Sequence, residues 1–353
     1  MENLKIKIKK EIDNELDHNW SKLQKNSNCS IFQYLNWIKK WKNEISNKDN
    51  KSSTLFVEIY SKDILIIIVP LQLVTKLGIR VLKIAGRPFS DYSDIILDKD
   101  YIDLLKQNNK VLFREILSNI SIDLVHFENI IERSDLYFLL SDFKLQTHNY
   151  KSYQLIKKKN HKILPNKFIN DTYRQIKRLN ELGKLEFKTI NNFEEKKNFF
   201  NFFVSNKEKQ LIETNNWNYL RKNNYLNFLK EIFLDNENSD IVGLYINNKL
   251  IAGHMGFKNS LQFFYLFPTY DRKFSKYSPG NIVLFNLTKV YFENNGETFD
   301  LTTGDERYKI KISNNKKEIL FLCKSYSVKG YILKLIINFY NSIKKFKNFF
   351  SKN

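Results

Sequence analysis

The chain is short of cysteine, of long apolar runs and of acids to balance its bases, and each shortage excludes something. Its 353 residues include two cysteines, Cys29 and Cys323. They lie far apart and outside any CxxC or His-Cys spacing, so neither a disulfide framework nor a metal site is implied, and a reducing cytoplasm is the default. No segment approaches about 18 uninterrupted apolar residues, so none is expected to span a membrane. The opening MENLKIKIKKEIDNE alternates charge with aliphatics and lacks the apolar core of a secretory leader. Against 58 Lys and Arg stand 38 Asp and Glu, a net charge of +20. Such a field attracts nucleotides, phospholipid headgroups or nucleic acid without choosing among them, and abundant lysine throughout makes part of it compositional bias.

What is present is aromatic bulk. Hydrophobic residues make up 42% of the chain, with 29 Phe and 19 Tyr, enough to fill the cores of the two or so domains that the length suggests. Strands are predicted at residues 54–60, 64–73 and 81–85, a turn-rich loop at 86–92 and a helix at 111–119. A linker is plausible at 150–165. Beyond it come helices at 165–183, 193–214 and 218–234, then strands at 241–246, 250–257 and 261–267.

Residues 263–312 are the most informative stretch. Phe263, Phe264, Tyr265, Leu266 and Phe267 read as a strand that Pro268 ends. Arg272, Lys273 and Lys276 lead into Ser278-Pro279-Gly280-Asn281: an N-cap oxygen, a proline preset for the first helical turn and a glycine open to close approach. The apolar helix that follows stops at Asn294-Asn295-Gly296, and residues 297–301 return as a strand. A helix N-terminus beside Arg272 and Lys276 suits a pyrophosphate, although an ordinary capped helix with solvated lysines fits the same residues. The strand then runs through Asp300 into a glycine turn crowded with ionisable groups: Gly304, Asp305, Glu306, Arg307, Tyr308 and Lys309.

The order of strand, Tyr270-Asp271, Ser278-Pro279-Gly280, helix, and Phe299-Asp300 with Gly304, Tyr308 and Lys309 resembles the C-terminal signature of GNAT-superfamily acyltransferases. The type is that of bacterial polysaccharide and cellulose biosynthesis, related in fold to the Fem peptidyltransferases. Ile31-Phe32-Gln33-Tyr34 with Trp37, Ser90-Asp91-Tyr92-Ser93-Asp94 and residues 173–183 resemble other parts of it, so the likeness spans about residues 30–312. It implies an α/β, mixed α+β fold of two divergent GNAT-like halves, residues 1–155 and 156–327, each a mixed sheet flanked by helices, with a tail helix over 328–353.

The resemblance also implies a reaction: transfer from acetyl-CoA or another acyl-CoA, without a metal, to the amine of a nucleotide- or lipid-linked amino sugar in polysaccharide synthesis. Pantetheine would lie between residues 263–267 and 297–301, reaching Phe267. Backbone N–H groups of Ser278, Gly280 and Asn281 would hold the pyrophosphate, assisted by Arg272 and Lys276. For the base, Asp305 and Glu306 are candidates whose crowding raises, and whose neighbouring cations lower, their proton affinity, leaving protonation open. His254, between Gly253 and Gly256, titrates nearer neutrality, but a lone strand histidine is more often structural. Tyr308 can donate to the leaving thiolate or simply pack. Acceptor recognition would draw on Asp91 and Tyr92 from the first half, on Trp217 stacking against a sugar face, and on Asp300 and Lys309, with Asp171 and Arg174 as further candidates.

Two basic concentrations exceed the background. Residues 151–188 contain Lys157, Lys158, Lys159, His161, Lys162, Lys167, Arg174, Lys177 and Arg178 around a helix whose stripe is Phe168, Thr172, Ile176, Leu179 and Leu182, which reads as a solvated face. In the tail, Ile332, Leu335, Ile336, Phe339, Ile343, Phe346 and Phe350 recur at helical spacing beside Lys334, Lys344, Lys345, Lys347 and Lys352, with no acid. This amphipathic basic helix either docks on the protein's own core or lies on an anionic membrane, giving a cytoplasmic protein peripheral at the inner face. Two other classes remain. A Fem-like transferase using aminoacyl-tRNA would grip RNA through Arg174 and Arg178, though no heptad run for a coiled-coil arm is visible. A non-catalytic membrane or nucleic-acid adaptor explains the charge but not the glycine turn.

Overall fold

The computed structural model describes residues 4–158, 162–215, 217–234, 238–259 and 262–350, the last ten as helix backbone only. Lys159, His161 and Lys352, and the side chains of Ile343, Lys344, Lys345, Phe346, Lys347 and Phe350, lie outside the described residues. The chain forms two compact units, residues 1–151 with 317–353, and residues 152–316. Where the sequence runs the second half through residue 327, the contacts assign 317–327 to the first unit.

The strands are β1 (Leu4–Lys9), β2 (Ser52–Ser61), β3 (Ile64–Lys76), β4 (Ile79–Ile84), β5 (Ile96–Leu97), β6 (Leu124–Ile131), β7 (Gln146–Ile156), β8 (Leu185–Thr189), β9 (Ser239–Ile246), β10 (Lys249–Lys258), β11 (Gln262–Tyr270), β12 (Thr298–Thr303) and β13 (Asn315–Ser325). The helices are α1 (Asn14–Lys25), α2 (Leu35–Trp41), α3 (Ile102–Ser118), α4 (Asp135–Leu139), α5 (Asn166–Asn180), α6 (Phe193–Glu213), α7 (Asn223–Leu234), α8 (Pro279–Glu293), α9 (Arg307–Ile312) and α10 (Val328–Phe350).

In the first unit the strand order is β1-β2-β3-β4-β6-β13, with β5 beside β3. All pairs are antiparallel except β4 with β6, which α3 connects. The aliphatic run of β3 is buried as its composition requires, and Ile66, Ile67 and Val69 share a core with Leu105, Leu112, Phe113 and Ile116 of α3. Helix α3 starts at Ile102, more than two turns before the sequence places it. Asn109 stands on its apolar face, buried and donating to Ser141 Oγ at 2.6 Å, so a polar letter masks the continuing stripe. The opening residues are strand β1, with Leu4, Ile6 and Ile8 packed on this core.

In the second unit the order is β8-β9-β10-β11-β12-β7, again antiparallel except for one pair, β11 with β12, which α8 connects. The two orders match step for step: four consecutive antiparallel strands, a parallel neighbour reached through a helix, then an antiparallel strand drawn from another part of the chain. That is a repeated mixed α/β half, as the family resemblance implies, though the residues themselves show no repeat because it lies in pairing and not in residue identity.

One carboxyl pair in the first unit, buried Asp94 and half-buried Asp135, has a pH consequence. Asp94 accepts from the Leu136 N–H at 2.7 Å and the Ile95 N–H at 2.9 Å, and burial holds its proton affinity up. Burial, then the neighbouring Asp94, raise Asp135 as well, with Lys106 opposing. Carboxyls whose folded affinity exceeds the unfolded value lose stability as pH climbs from the ordinary carboxylate range, about 4, through the raised value. Asp135→Asn is therefore expected to gain stability over the parent at pH 8 relative to pH 5, by on the order of 1–2 kcal/mol in urea denaturation. An equal difference at both pH values would show that the pair shares no raised proton.

Candidate functional site

The site is built where β11 and β12 part. Their parallel register covers Gln262↔Thr298, Phe263↔Phe299 and Phe264↔Asp300 only, although β11 continues to Tyr270. The Phe263 and Phe299 rings stack at 4.8 Å and close the narrow end. Past it β11 keeps β10 as its neighbour, with a register shift between Met255 and Gly256. Pro268 does not end the strand: it pairs with His254, on a stretch where β12 has withdrawn and a missing ladder donor costs little.

On the other arm, Asp300 fixes the departure of β12. Its Oδ1 accepts from the Thr302 N–H at 2.7 Å and its Oδ2 from Gln154 Nε2 at 2.9 Å, with the residue 1% exposed. Thr302 has φ +64°, a strained value for a β-branched residue, at the point where pairing with β7 shifts register. Gly304 at φ +116° then turns the chain into α9, in a region that side-chain-bearing residues rarely enter. Asp305 accepts from the Tyr153 hydroxyl at 3.1 Å. Lys309 is buried, donating to the Thr303 carbonyl at 2.7 Å and pairing with the exposed Glu306 at 3.1 Å. Asp300 and Lys309, expected to meet an acceptor, thus hold the turn from inside.

The start of α8 differs from its expected form. Ser278 is left-handed, φ 50° and ψ 50°, and its side chain makes no cap hydrogen bond. Of the backbone donors expected for pyrophosphate, Ser278 N–H goes to the Ser275 carbonyl at 3.0 Å, Pro279 has none, and Asn281 N–H goes to the Ser278 carbonyl at 3.0 Å. Gly280 N–H donates to none of the described residues, and a Cβ there would lie an ordinary 3.8 Å from Tyr270.

Beside this helix start is an open-mouthed cavity of about 630 Å³ lined by α5, α8 and α9. Ser278, Asn281 and Ile282 line it from α8, while Lys167, Arg174, Arg307 and Lys311 set four cations around it against one acid, Asp171. Asp171 pairs with Arg174 at 3.0 Å. Tyr308 lines the same cavity, and burial, then Tyr265 and Glu306, hold its phenol well above the ordinary tyrosine range, so it stays protonated. The α5 residues that matter are spaced i, i+4, i+7 and i+8, one helical face, which the sequence shows as a basic surface without saying that it faces a cavity.

Other candidates stand elsewhere. Arg272 is committed to Glu213 at 2.5 Å and to the Tyr270 hydroxyl at 2.8 Å, and Lys276 is exposed over the Tyr277 ring. Phe267 packs against Phe203 and Phe233. His254 is 0% exposed, stacks on Tyr265 at 4.0 Å, and its Nε2 accepts from the Leu266 N–H at 3.1 Å. Burial holds it far below the ordinary histidine range, so it is neutral and its lone pair is in use, a brace for β11. Trp217 is 58% exposed with Lys222 over its ring and Tyr225 at its edge. Tyr92, 2% exposed and edge-on to Phe32, belongs to the core of the first unit, where the Asp91 carbonyl accepts from Asn129 Nδ2. Lys207 of α6, missed among so many lysines, is held below the ordinary range by burial, with Glu306 opposing and Lys309 adding.

Residues 166–310 match the family model of the acetyltransferase (GNAT) domain. The second unit carries a GNAT-like acetyltransferase domain. Solved structures extend the likeness over both halves: FemX, 10% identical with a TM-score of 0.60, aligns over 90% of this chain and 98% of its own. A conserved protein of unknown function from Bacteroides thetaiotaomicron, 12% identical, gives 0.55 over 90% and 99%. The C-terminal domain of a putative lysylphosphatidylglycerol synthetase from Agrobacterium fabrum, 10% identical, gives 0.53 over 85% and 95%. None of the curated proteins matches the chain in sequence. The mixed α/β architecture of two halves with matching strand orders is therefore established at the level of fold.

Proposed function

We propose that the GNAT-like domain transfers an acyl group from acetyl-CoA or another acyl-CoA to the amine of an amino sugar held on a nucleotide or lipid carrier. The observation that carries this reading is the cation-lined cavity at the start of α8, next to the parting of β11 and β12. Coenzyme A presents phosphates and an extended amide-bearing arm. Lys167, Arg174, Arg307 and Lys311, with the Ser278 hydroxyl and the Asn281 amide, supply the donors that phosphates need. Beyond Phe264, β11 has lost β12 as its ladder partner, so its backbone on that side suits an amide arm as a strand edge suits a peptide.

An amine must be neutral to attack, and the departing thiolate needs a proton. Tyr308, bordering the cavity and held protonated, is the donor in this reading. Glu306 receives the amine's proton, being the exposed acid of the turn, while buried Lys309 and half-buried Lys207 keep positive charge beside it. Trp217 offers a flat apolar face to a sugar ring. The acceptor's identity rests on the resemblance to polysaccharide-associated acyltransferases.

Titration calorimetry tests the donor. Saturable binding of acetyl-CoA is expected, weakened about tenfold or more by Asn281→Trp, which fills the cavity from a half-buried position, with an unchanged melting temperature. Tight binding of aminoacyl-tRNA without any response to acetyl-CoA would replace the reading by a Fem-like one. Mass spectrometry of products from an amino-sugar panel then identifies the acceptor.

A further inference from the structure

Helix α10 shows two faces that a helix docked only on its own protein would not have. Its start is fixed at Asp123, whose carbonyl accepts from the Tyr326 N–H at 2.8 Å and whose Oδ1 accepts from Ser327 Oγ at 2.6 Å. Ser327 Oγ in turn accepts from the Gly330 N–H at 3.1 Å. Gly330 is buried so closely that a Cβ would meet the Asp123 carbonyl oxygen. Three and seven residues on, Leu333 and Ile337 pack on Val81, Leu124, Phe321 and Cys323. Gly330, Leu333 and Ile337 are the inward face.

The outward face is just as apolar. Tyr331, Ile332, Leu335, Ile336, Phe339 and Tyr340 are each exposed, from 49% for Leu335 to 70% for Phe339. At 3.6 residues per turn they occupy roughly half the circumference, centred opposite Gly330. The sequence repeats the spacing at Ile343, Phe346 and Phe350, whose side chains lie outside the described residues. Soluble proteins rarely leave an apolar surface of this extent without a partner.

Charge selects among occupants. No acid follows Glu318, while Lys324, Lys329, Lys334, Lys344, Lys345, Lys347 and Lys352 do. A second copy pairing face to face would set two acid-free, lysine-bearing helices side by side, and their repulsion disfavours it. An anionic lipid surface complements both features, since acyl chains receive the apolar arc while headgroups receive the lysines and the tyrosine hydroxyls. Among the described residues no helix is long and apolar enough to cross a membrane, so the fit is for a helix lying in the interface. We propose that α10 binds the surface of an anionic bilayer through its outward face, with the first unit seated on its inward face. This is independent of the acyl-transfer reading.

Flotation of the full chain with vesicles tests it. Binding is expected to phosphatidylcholine vesicles containing phosphatidylglycerol at physiological salt, and to fall off at high salt and on pure phosphatidylcholine. Ile336→Asp with Phe339→Asp should abolish flotation without moving the melting temperature, because both residues are exposed. Replacing Lys344, Lys345 and Lys347 by Gln keeps the apolar residues and is expected to weaken binding to the anionic vesicles roughly tenfold or more. The proposal is overturned if the parent stays in solution with anionic vesicles, if the double aspartate variant floats like the parent, or if light scattering finds a dimer that this variant dissolves.

Discussion

Replacing Tyr308 by phenylalanine is expected to lower kcat for acyl transfer by roughly 10²- to 10⁴-fold, the range for loss of a positioned proton donor, while KM for the acyl donor changes by only a few fold. The ring carbon skeleton stays, so packing in the cavity wall is preserved and only the hydroxyl is lost. Burial holds that hydroxyl well above the ordinary tyrosine range, with Tyr265 and Glu306 adding to the effect. A raised affinity keeps the proton on as pH rises, so Tyr308 should contribute no alkaline decline below about pH 10. Single-turnover kinetics of parent and variant check both points. Unchanged kcat in Tyr308→Phe would reduce the residue to a packing role, whereas loss of acyl-CoA binding instead of rate would make it part of the donor pocket.

Asp300→Ala should be the most destabilising single polar substitution in the second unit. It removes the acceptor of both the Thr302 N–H and Gln154 Nε2 at a position 1% exposed. Each buried donor left without a partner costs about 1–3 kcal/mol, so for the two a loss of about 2–6 kcal/mol is expected in denaturant unfolding. Thr302 adds to it, because its left-handed backbone is held by that same carboxyl oxygen. Asp300→Asn keeps an oxygen for Thr302, and an amide flip of Gln154, which also receives Asn315 Nδ2 at 2.9 Å, can restore part of the network. The Asn variant should therefore retain most of the stability that Ala loses. Equal, small effects of the two would mean that the bulge is set by β7 and not by Asp300.

These two residues mark the limit of what the sequence discloses. The aliphatic run of β3, the aromatic run of β11, the helix beginning at Ser278-Pro279-Gly280 and the glycine turn at Gly304 are all legible, because composition and turn chemistry act locally. The reason given for the helix start is not the one found: Ser278 bends left-handed and lines a cavity instead of capping. Burial is what local letters withhold. Asp300 and Lys309 read as acceptor-binding residues beside a glycine, yet both side chains are buried and hydrogen-bonded within the turn. His254 reads as either a titrating group or, more often for a lone strand histidine, a structural one, and the structure shows its lone pair already meeting the Leu266 N–H. Of the four cavity cations, Lys167, Arg174 and Arg307 are visible in the sequence, but as a solvated face and a crowded turn and not as one lining, and Lys311 is lost among 58 basic residues.

The matching strand orders of the two units end in an exchange: β7 follows β6 in sequence but supplies its last five residues to the second unit, while β13, from beyond that unit, completes the sheet of the first. The second unit is therefore one uninterrupted stretch, 152–316, and the first is not. During synthesis strands β1 to β6 of the first unit emerge before the second unit, yet β6, with Val125, Phe127 and Ile130 of that core, keeps an open edge until β13 arrives. Order of translation and order of completion are thus reversed, and the half made earlier depends on β13, a strand made after the whole second unit, for closure.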